Sequence, residues 1–216
     1  APSSWKKWIR LGNKSIDSLR RNVSKLNVLP SSEQKPEEGS KELKTLKEIY
    51  DFYDKNKLRF ENLASIVTEH LIKKSAKNYK AGWITKGSGD SGIDFIGRMD
   101  IGTGFGSAKV IVLGQAKCES LNSPTGGNHI ARTVAKLKRG WLGVYVTTSY
   151  FSDPAQIEIL EDKYPLLLIN GKKLAELVNE IVIEKRYKNV TEYLEKVNSE
   201  YEGLIQYRDP EEILFE

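Results

Sequence analysis

The sequence contains very little cysteine, histidine and methionine. Its single cysteine, Cys118, cannot form an intramolecular disulfide bond, and with only two histidines, His70 and His129, the usual ligand set of a Cys/His zinc site cannot be assembled. Any bound metal is therefore expected to be held mainly by oxygen atoms. The only methionine is Met99 and the first residue is Ala1, which favours a piece of a longer protein.

Long apolar runs are also missing. No stretch of about 18 or more apolar residues occurs, and the start, APSSWKKWIR, lacks the apolar segment of a secretory signal. We therefore expect no membrane partner and a soluble, cytoplasmic protein. The 216 residues, 39% of them hydrophobic, are enough for one well-packed core, so one main domain is expected.

The charge is unevenly distributed along the chain. The net charge is +5, but residues 191–216 contain eight acidic and two basic residues, and residues 1–28 contain seven basic residues and one acidic residue. A basic body attracts polyanions such as DNA or RNA. Many solvated surfaces are equally basic without binding nucleic acid, so charge favours this interpretation without deciding it.

Three segments are predicted from the local composition. Residues 1–56 form a basic, partly helical leader followed by a linker, residues 57–184 form the core, and residues 185–216 form an acidic helical tail. Within the first segment, residues 29–41 are rich in Pro, Ser and Glu and have no apolar period, which predicts an exposed linker. The leader carries Trp5 and Trp8 and is expected to pack on a domain outside this chain.

The core shows the patterns of an α/β fold. Apolar spacing predicts a helix over 58–74, and β-branched or apolar runs predict strands over 82–86, 93–101 and 109–118. A helix over 128–139 follows, and then come the apolar runs GWLGVYVTT and YPLLLIN, which are typical of strands buried on both faces. Helices over 154–162 and 171–184 complete the order, which indicates a mixed central sheet flanked by helices on both faces.

Polar side chains with the chemistry of a phosphodiesterase lie at the ends of two of these strands. Asp94 follows a glycine-rich corner, and Gln115 and Lys117, two residues apart, lie on one face near the end of the next strand. If the strands are neighbours, the three side chains converge. Asp94, the Gln115 amide oxygen and the Ala116 backbone carbonyl are hard oxygen ligands suited to Mg²⁺, and Lys117 is expected to orient or deprotonate the attacking water.

Each of these residues alone is weak evidence, because an Asp, a Lys or a Gln-x-Lys near a strand end is usually a solvated surface group. Their combination with a glycine corner, an apolar strand and a preceding amphipathic helix is much less common. This combination predicts an active site.

The segments GDSGIDFIG and VLGQAK resemble the Mrr-like branch of the PD-(D/E)xK restriction nucleases, whose pattern reads Gly-x-Asp-Gly-Gly-Ile-Asp and then Gln-Ala-Lys. The resemblance covers about residues 58–182, and it implies a restriction-endonuclease-like fold, Mg²⁺ and double-stranded DNA. It also implies an accessory acidic residue at Glu61, in the motif Phe60-Glu61-x-Leu63. Gln115 departs from the Asp or Glu of the wider group but agrees with this branch.

The motif spacing is similar to that of the MspJI-like modification-dependent enzymes, since 20 residues separate Asp94 from Gln115. In that group a methylcytosine-reading domain precedes the nuclease domain, and the 57 residues before residue 58, where the resemblance begins, are too few to form one. The resemblance therefore implies a nuclease domain whose DNA-recognition domain lies outside this chain, or a different Mrr-like protein. Because one centre cuts one strand at a time, a homodimer or larger homo-oligomer is expected.

Several further residues are weaker candidates. Asp90 is expected to stabilise the turn that Gly87, Gly89 and Gly92 permit, rather than to bind metal. Thr147, Thr148 and Ser149 are expected to be structural hydroxyls at a strand end. The candidate DNA contacts are a basic helix face and a glycine-rich loop: Arg132, Lys136 and Arg139, and Ser123, Thr125 and Asn128.

Three other interpretations compete with the nuclease. GSGDSG matches the Gly-x-Gly-x-x-Gly pattern of dinucleotide-binding proteins, but a strand follows it instead of the helix that would receive a pyrophosphate. A DNA-binding module with the same fold but without catalysis remains an alternative, although all three site residues are retained. The other alternative is a repair or junction-processing nuclease.

Overall fold

The computed structural model describes residues 28–76, 78–85 and 92–216. It contains a mixed six-stranded sheet in the order β5-β4-β3-β2-β1-β6. In chain order the regular elements are α1 (Ser31–Gln34), α2 (Lys41–Tyr53), α3 (Phe60–Lys73), β1 (Tyr79–Thr85), β2 (Phe95–Ile101), β3 (Ala108–Lys117), α4 (Gly127–Val134), β4 (Leu142–Thr147), α5 (Asp153–Asp162), β5 (Leu166–Ile169), α6 (Gly171–Glu184), α7 (Val190–Leu204) and β6 (Ile205–Gln206). Short 3₁₀ helices occupy Lys57–Arg59, Gly104–Gly106 and Pro210–Phe215.

The sheet changes from antiparallel to parallel at its centre. β1, β2 and β3 form an antiparallel meander, whereas β4 and β5 add in parallel on the other side of β3, each after a crossover helix. This is the mixed sheet with flanking helices that the sequence predicts, and the order of elements over residues 58–184 is confirmed. β3 is central because its run Ile111, Val112 and Leu113 is apolar on both faces and fully buried.

Hydrophobic clusters cover both faces of the sheet. On one face α2, α3, α6 and α7 pack in a single cluster against residues such as Phe95, Val112 and Val146. On the other face the C-terminal 3₁₀ helix covers Ile96 and Leu113, and α4 and α5 pack in a third cluster. The ends of β2 and β3 that carry the site are therefore held between two packed layers.

The segment expected to be an exposed linker is partly ordered on the core. Gln34 in α1 is only 2% exposed, and its amide nitrogen donates to the carbonyls of Leu29 (2.8 Å) and Phe151 (2.9 Å). Its amide oxygen accepts from the backbone nitrogen of Phe151 at 2.8 Å. This segment is held to the core by hydrogen bonds of Gln34 and not by a periodic row of apolar side chains. The hydrophobic pattern of the sequence therefore did not predict the contact.

The predicted segment boundaries at 57 and 184 do not divide the hydrophobic core. Ile49 and Tyr53 from α2, a helix that was not predicted from the sequence, share one buried cluster with Leu63 of α3. Tyr193 and Leu194 from α7 belong to the same cluster. Within the acidic C-terminal region, the helix α7 places one of its faces in the core.

Two predicted elements differ from the structure. The helix expected over 128–139 ends at Val134, so Lys136 and Arg139 lie in the turns that follow it. β5 is an edge strand whose Leu167 is 36% exposed, whereas the run YPLLLIN was expected to be buried on both faces. An apolar run cannot distinguish a central strand from an edge strand, because strand order depends on distant pairing.

Some predicted features lie outside the described residues, namely the helical leader of residues 1–27 and the turn around Asp90. Within the described ranges, no helix combines the length and the apolar character needed to cross a bilayer.

Candidate active site

Asp94 and Gln115 lie opposite each other where β2 begins and β3 ends. The pairing of Phe95 with Gly114 sets this register, and the Asp94 backbone nitrogen donates to the Gly114 carbonyl at 2.8 Å. Asp94 Oδ2 accepts hydrogen bonds from Gln115 Nε2 (2.6 Å) and from the Ala116 backbone nitrogen (2.7 Å). The sheet therefore fixes the orientation of the Asp94 carboxylate.

Two glycines make this arrangement possible. Gly92, two residues before Asp94, has a φ of +57°, which a glycine adopts without strain. Gly114 lies against the ring of Phe95, and a Cβ at this position would come within 2.0 Å of the ring carbon Cζ. Gly92 therefore allows the sharp entry into β2, and Gly114 allows the close packing beneath the site.

Lys117 completes the expected convergence. It lies two residues after Gln115 on β3, and both side chains line one open cleft of about 550 Å³ with Asp94 and Ala116. Glu61, in the first turn of α3, lines the same cleft. The structure thus brings all four residues of the predicted cutting centre together.

Two of the carboxylates that line the cleft, Glu61 and Asp94, are poorly solvated. The pKa of Glu61 is raised to about 8, first by burial and then by the charge of Asp94, while a hydrogen bond from Tyr201 lowers it. Burial also raises the pKa of Asp94 to about 6, against the hydrogen bonds from Ala116 and Gln115 and the charge of Lys117. Two carboxylates that are costly to ionise side by side would both be relieved by a cation between them.

The chemistry of the donors fits a small hard cation. Asp94 Oδ1, Glu61 Oε1 and Gln115 Oε1 have no hydrogen-bond partner among the described residues, so each oxygen is available to accept a further contact. Mg²⁺ takes such carboxylate and carbonyl oxygens. Across the described ranges no group of three or more His, Cys, Asp or Glu side chains could hold a metal, so an amide or backbone oxygen would have to complete this set. Cys118 lines the cleft too, but burial raises the pKa of its thiol to about 11.

A loop over residues 118–126 borders the cleft and is held by buried hydroxyl groups. Thr125 Oγ1 donates to Glu119 Oε2 at 2.6 Å, and Thr148 Oγ1 donates to the Glu119 carbonyl at 2.6 Å. Ser149 Oγ donates to the Ser123 carbonyl. The hydroxyls after β4 are thus hydrogen-bonded structural groups, and Thr125 is itself fully buried.

The candidate DNA-contacting residues fall into three groups. Ser123 lines the cleft. Four are exposed and lie outside the cleft lining: Asn128, Arg132, Lys136 and Arg139. Thr125 was expected to contact DNA, but it is fully buried and its hydroxyl is bound to Glu119, so that prediction is wrong.

The sequence did not lead us to two residues at this site: Glu119, which lines the cleft, and Tyr201, which is hydrogen-bonded to Glu61. Glu119 was detectable, because it continues the alternation of Gln115 and Lys117 by two more positions. Tyr201 was not detectable, because its hydroxyl meets Glu61 across 140 residues of chain.

The restriction-endonuclease-like class is defined by a mixed sheet that helices cover on both faces. An Asp and a Gln-x-Lys meet at the ends of its neighbouring central strands. The model of the family Mrr_cat, restriction endonuclease, matches residues 58–178, which is more than half of the chain. The chain belongs to this family.

Two solved structures share the fold. The MspJI restriction endonuclease, in complex with a 27-mer oligonucleotide, is similar with a TM-score of 0.84 and 42% sequence identity, covering 100% of this chain and 48% of that one. The DNA modification-dependent restriction endonuclease AspBHI is similar with a TM-score of 0.67 and 24% identity, covering 80% of this chain and 43% of that one. The chain thus corresponds to about half the length of these enzymes. Among curated proteins, none matches it significantly.

Proposed function

We propose that this chain is a Mg²⁺-dependent endodeoxyribonuclease domain that hydrolyses phosphodiester bonds of double-stranded DNA as the cutting part of a restriction enzyme. The observation that carries the proposal is the pair of carboxylates, half-buried Asp94 and buried Glu61, that line one solvent-open cleft with Gln115 and Lys117. Family membership supports it, because the matched residues include all four positions.

Four groups of the chain would hold the ion: the Asp94 carboxylate, the Gln115 amide oxygen, the Ala116 carbonyl and the Glu61 carboxylate. When bound, Mg²⁺ supplies a Lewis acid for the scissile phosphate and lowers the pKa of a bound water. The hydrogen bonds from Gln115 Nε2 and the Ala116 nitrogen fix Asp94 Oδ2, which leaves Oδ1 as the oxygen available for coordination.

Lys117 contributes a positive charge to the cleft that Asp94 and Gln115 line. Negative charge accumulates on the phosphate oxygens during in-line attack, and an ammonium group held there stabilises it. In the same position Lys117 orients or deprotonates the attacking water. As an ammonium group Lys117 would stabilise charge and orient the water, and only as the neutral amine would it take a proton from the water.

The parent protein is proposed to be a modification-dependent restriction enzyme that recognises 5-methylcytosine through a domain outside this chain. The motif spacing between Asp94 and Gln115 supports this proposal, as does the name of AspBHI, a DNA modification-dependent endonuclease of the same fold. The MspJI structure, bound to an oligonucleotide, supports DNA as the partner. Because a double-strand break needs two centres, the working form is proposed to be a homodimer or larger homo-oligomer.

A cleavage assay with Mg²⁺ on unmodified, 5-methylcytosine-containing, branched and single-stranded DNA tests the proposal. Cutting of duplex DNA is expected, and Asp94→Ala and Lys117→Ala should abolish it while retaining most of the affinity for DNA, since many phosphate contacts supply that affinity. The matched control is Lys109→Ala, a lysine at the opposite end of β3 whose Nζ donates to the Leu214 carbonyl.

Each alternative function has its own outcome in this panel. A preference for branched DNA would indicate a repair or junction-processing nuclease, and binding without cutting would indicate a catalytically inert DNA-binding module. Full cutting by either Asp94→Ala or Lys117→Ala would show that the centre lies elsewhere.

A further inference from the structure

Tyr201 contacts the proposed centre from outside the segment that defines the family. It lies on α7, beyond residue 178 where the family match ends. Its hydroxyl donates to Glu61 Oε2 at 3.1 Å, and both residues are buried, with Glu61 only 4% exposed. A buried hydrogen bond to a carboxylate is strong and directional, because no water competes for either partner.

Other contacts fix α7 against the first turn of α3. Asn62 Nδ2 donates to the Val197 carbonyl at 2.7 Å, and Arg59 Nη1 donates to the Asn198 carbonyl at 3.1 Å. Arg59 also pairs with Glu202 at 2.6 Å and lies over the ring of Tyr201, 5.4 Å from its centroid. These contacts lie on both sides of Glu61 in the sequence, so the position of the Tyr201 hydroxyl relative to Glu61 is set by the packing of the two helices.

The Tyr201 bond determines which oxygen of Glu61 is free. The hydroxyl occupies Oε2, whereas Oε1 has no partner among the described residues. The same bond offsets part of the unfavourable environment of a carboxylate that is buried beside Asp94. Groups that hold a metal ligand in this way restrict its rotation and tune its basicity.

We infer that Tyr201 is a positioning residue, which holds the Glu61 carboxylate ready to bind the metal, and that α7 is therefore part of the catalytic unit. This inference rests on the proposed function, because it assigns Glu61 to the metal centre. It extends the functional unit beyond the family-matched residues, to a helix that the sequence pattern marked only as a tail.

The test is Tyr201→Phe, which removes the hydroxyl and keeps the ring. We expect the affinity for Ca²⁺, used as a non-catalytic probe and measured by calorimetry, to fall about 10-fold or more, as is typical when a group that supports a metal ligand is removed. The Mg²⁺ concentration for half-maximal cleavage should rise by a similar factor. The KM for DNA should stay unchanged, and saturating Mg²⁺ should restore most of the rate.

The matched control is Tyr193→Phe on the same helix. Tyr193 is also fully buried, but its hydroxyl has no hydrogen-bond partner among the described residues. This variant should bind Ca²⁺ and require Mg²⁺ as the wild type does. A melting scan in the absence of metal shows whether both variants are folded at the assay temperature.

Three results would overturn the inference: an unchanged Ca²⁺ affinity in Tyr201→Phe, an equal loss in Tyr193→Phe, or a loss of rate that saturating Mg²⁺ does not restore. Failure of the proposed function has a different signature. If the wild type binds Ca²⁺ in a manner abolished by Asp94→Ala but cuts no DNA, the proposed function fails, and calorimetry alone decides the role of Tyr201.

Discussion

Thr148 binds both backbone groups of Glu119. Its hydroxyl accepts from the Glu119 backbone nitrogen at 2.8 Å and donates to the Glu119 carbonyl at 2.6 Å, across 29 residues of chain. Thr148 is fully buried at the end of β4, whereas Glu119 begins the loop that carries Ser123 along the cleft. The hydroxyl therefore replaces the backbone pairing that stops where β3 ends.

Thr148→Val is expected to destabilise the protein by about 1–3 kcal/mol, because two part-buried backbone groups are left without their partner. For a chain of this size the change corresponds to about 2–4 °C in Tm per kcal/mol. Thr68→Val is the control, since Thr68 Oγ1 is buried with no partner among the described residues and its removal should be neutral or stabilising. Melting scans compare the two, and equal decreases in Tm would show that the Glu119 contacts contribute nothing specific.

The stability of the metal-free protein should fall as the pH rises. The pKa of Asp94 is raised from 3.8 to about 6 and that of Glu61 from 4.5 to about 8, so between these limits the folded state keeps protons that the unfolded state has released. Stability therefore decreases with increasing pH across this window. Glu61→Gln should raise the Tm at pH 8 in EDTA and flatten the pH dependence.

The raised pKa values of Asp94 and Glu61 also predict how the effect of Mg²⁺ on stability depends on pH. Because the ion binds the ionised carboxylates, its stabilisation of the wild type should be larger at pH 8 than at pH 6. Cleavage should likewise increase over this range. A Tm that is independent of pH in EDTA, or that rises toward pH 8, would contradict the solvation assigned to the two carboxylates.

A fragment of residues 57–184 should not fold. It lacks α2 and α7, whose Ile49, Tyr53, Tyr193 and Leu194 lie in the same buried cluster as α3. Their removal would expose the apolar faces of α3 and α6 to water, at a cost of about 25 cal/mol per Å². Circular dichroism should show no cooperative melting for residues 57–184, whereas residues 28–216 should melt cooperatively. A stable fragment of residues 57–184 would contradict this prediction and support the three segments expected from the sequence.

Arg132, Lys136 and Arg139 are expected to contact phosphates. All three are exposed and form no ion pair within the described part of the chain. Replacing them together with Gln should weaken binding to all DNA sequences alike. The slope of log K against log salt should become shallower by about 0.9 for each phosphate that the variant no longer neutralises. Fluorescence anisotropy across a salt series measures this slope.

The control for that series is the triple variant Lys44→Gln, Lys185→Gln and Lys188→Gln, which removes the same charge from three exposed lysines that form no ion pair within the described residues and lie on α2 and just after α6. If both triple variants change the slope equally, the effect is one of net charge, and the helix α4 region is not the DNA-binding surface.

Much of the centre could be predicted because local rules determine it. Asp94, Gln115 and Lys117 are brought together by strand alternation and a tight connection between neighbouring strands, and both features are visible within about 30 residues of sequence. Glu61 was added only by the family resemblance. The structure brings the four together as expected, while their catalytic roles remain predictions.

The residues that were missed depend on distant packing. Tyr201 reaches Glu61, and Gln34 reaches Phe151, through hydrogen bonds over more than 100 residues that no local pattern encodes. The helix α2 was different, since Leu46, Ile49 and Tyr53 do have helical spacing. Their signal was diluted by the charged residues around them and by the polar segment that precedes them.

The most direct test of the central claim is a crystal structure of the protein with Mn²⁺ in place of Mg²⁺, measured for anomalous scattering. We predict a peak about 2.1 Å from an Asp94 carboxylate oxygen, with oxygens of Glu61 and Gln115 or Ala116 in the same coordination shell and Lys117 beside it. A fully occupied Mn²⁺ site away from Asp94, or none in the cleft at saturating Mn²⁺ and pH 8, would contradict the account.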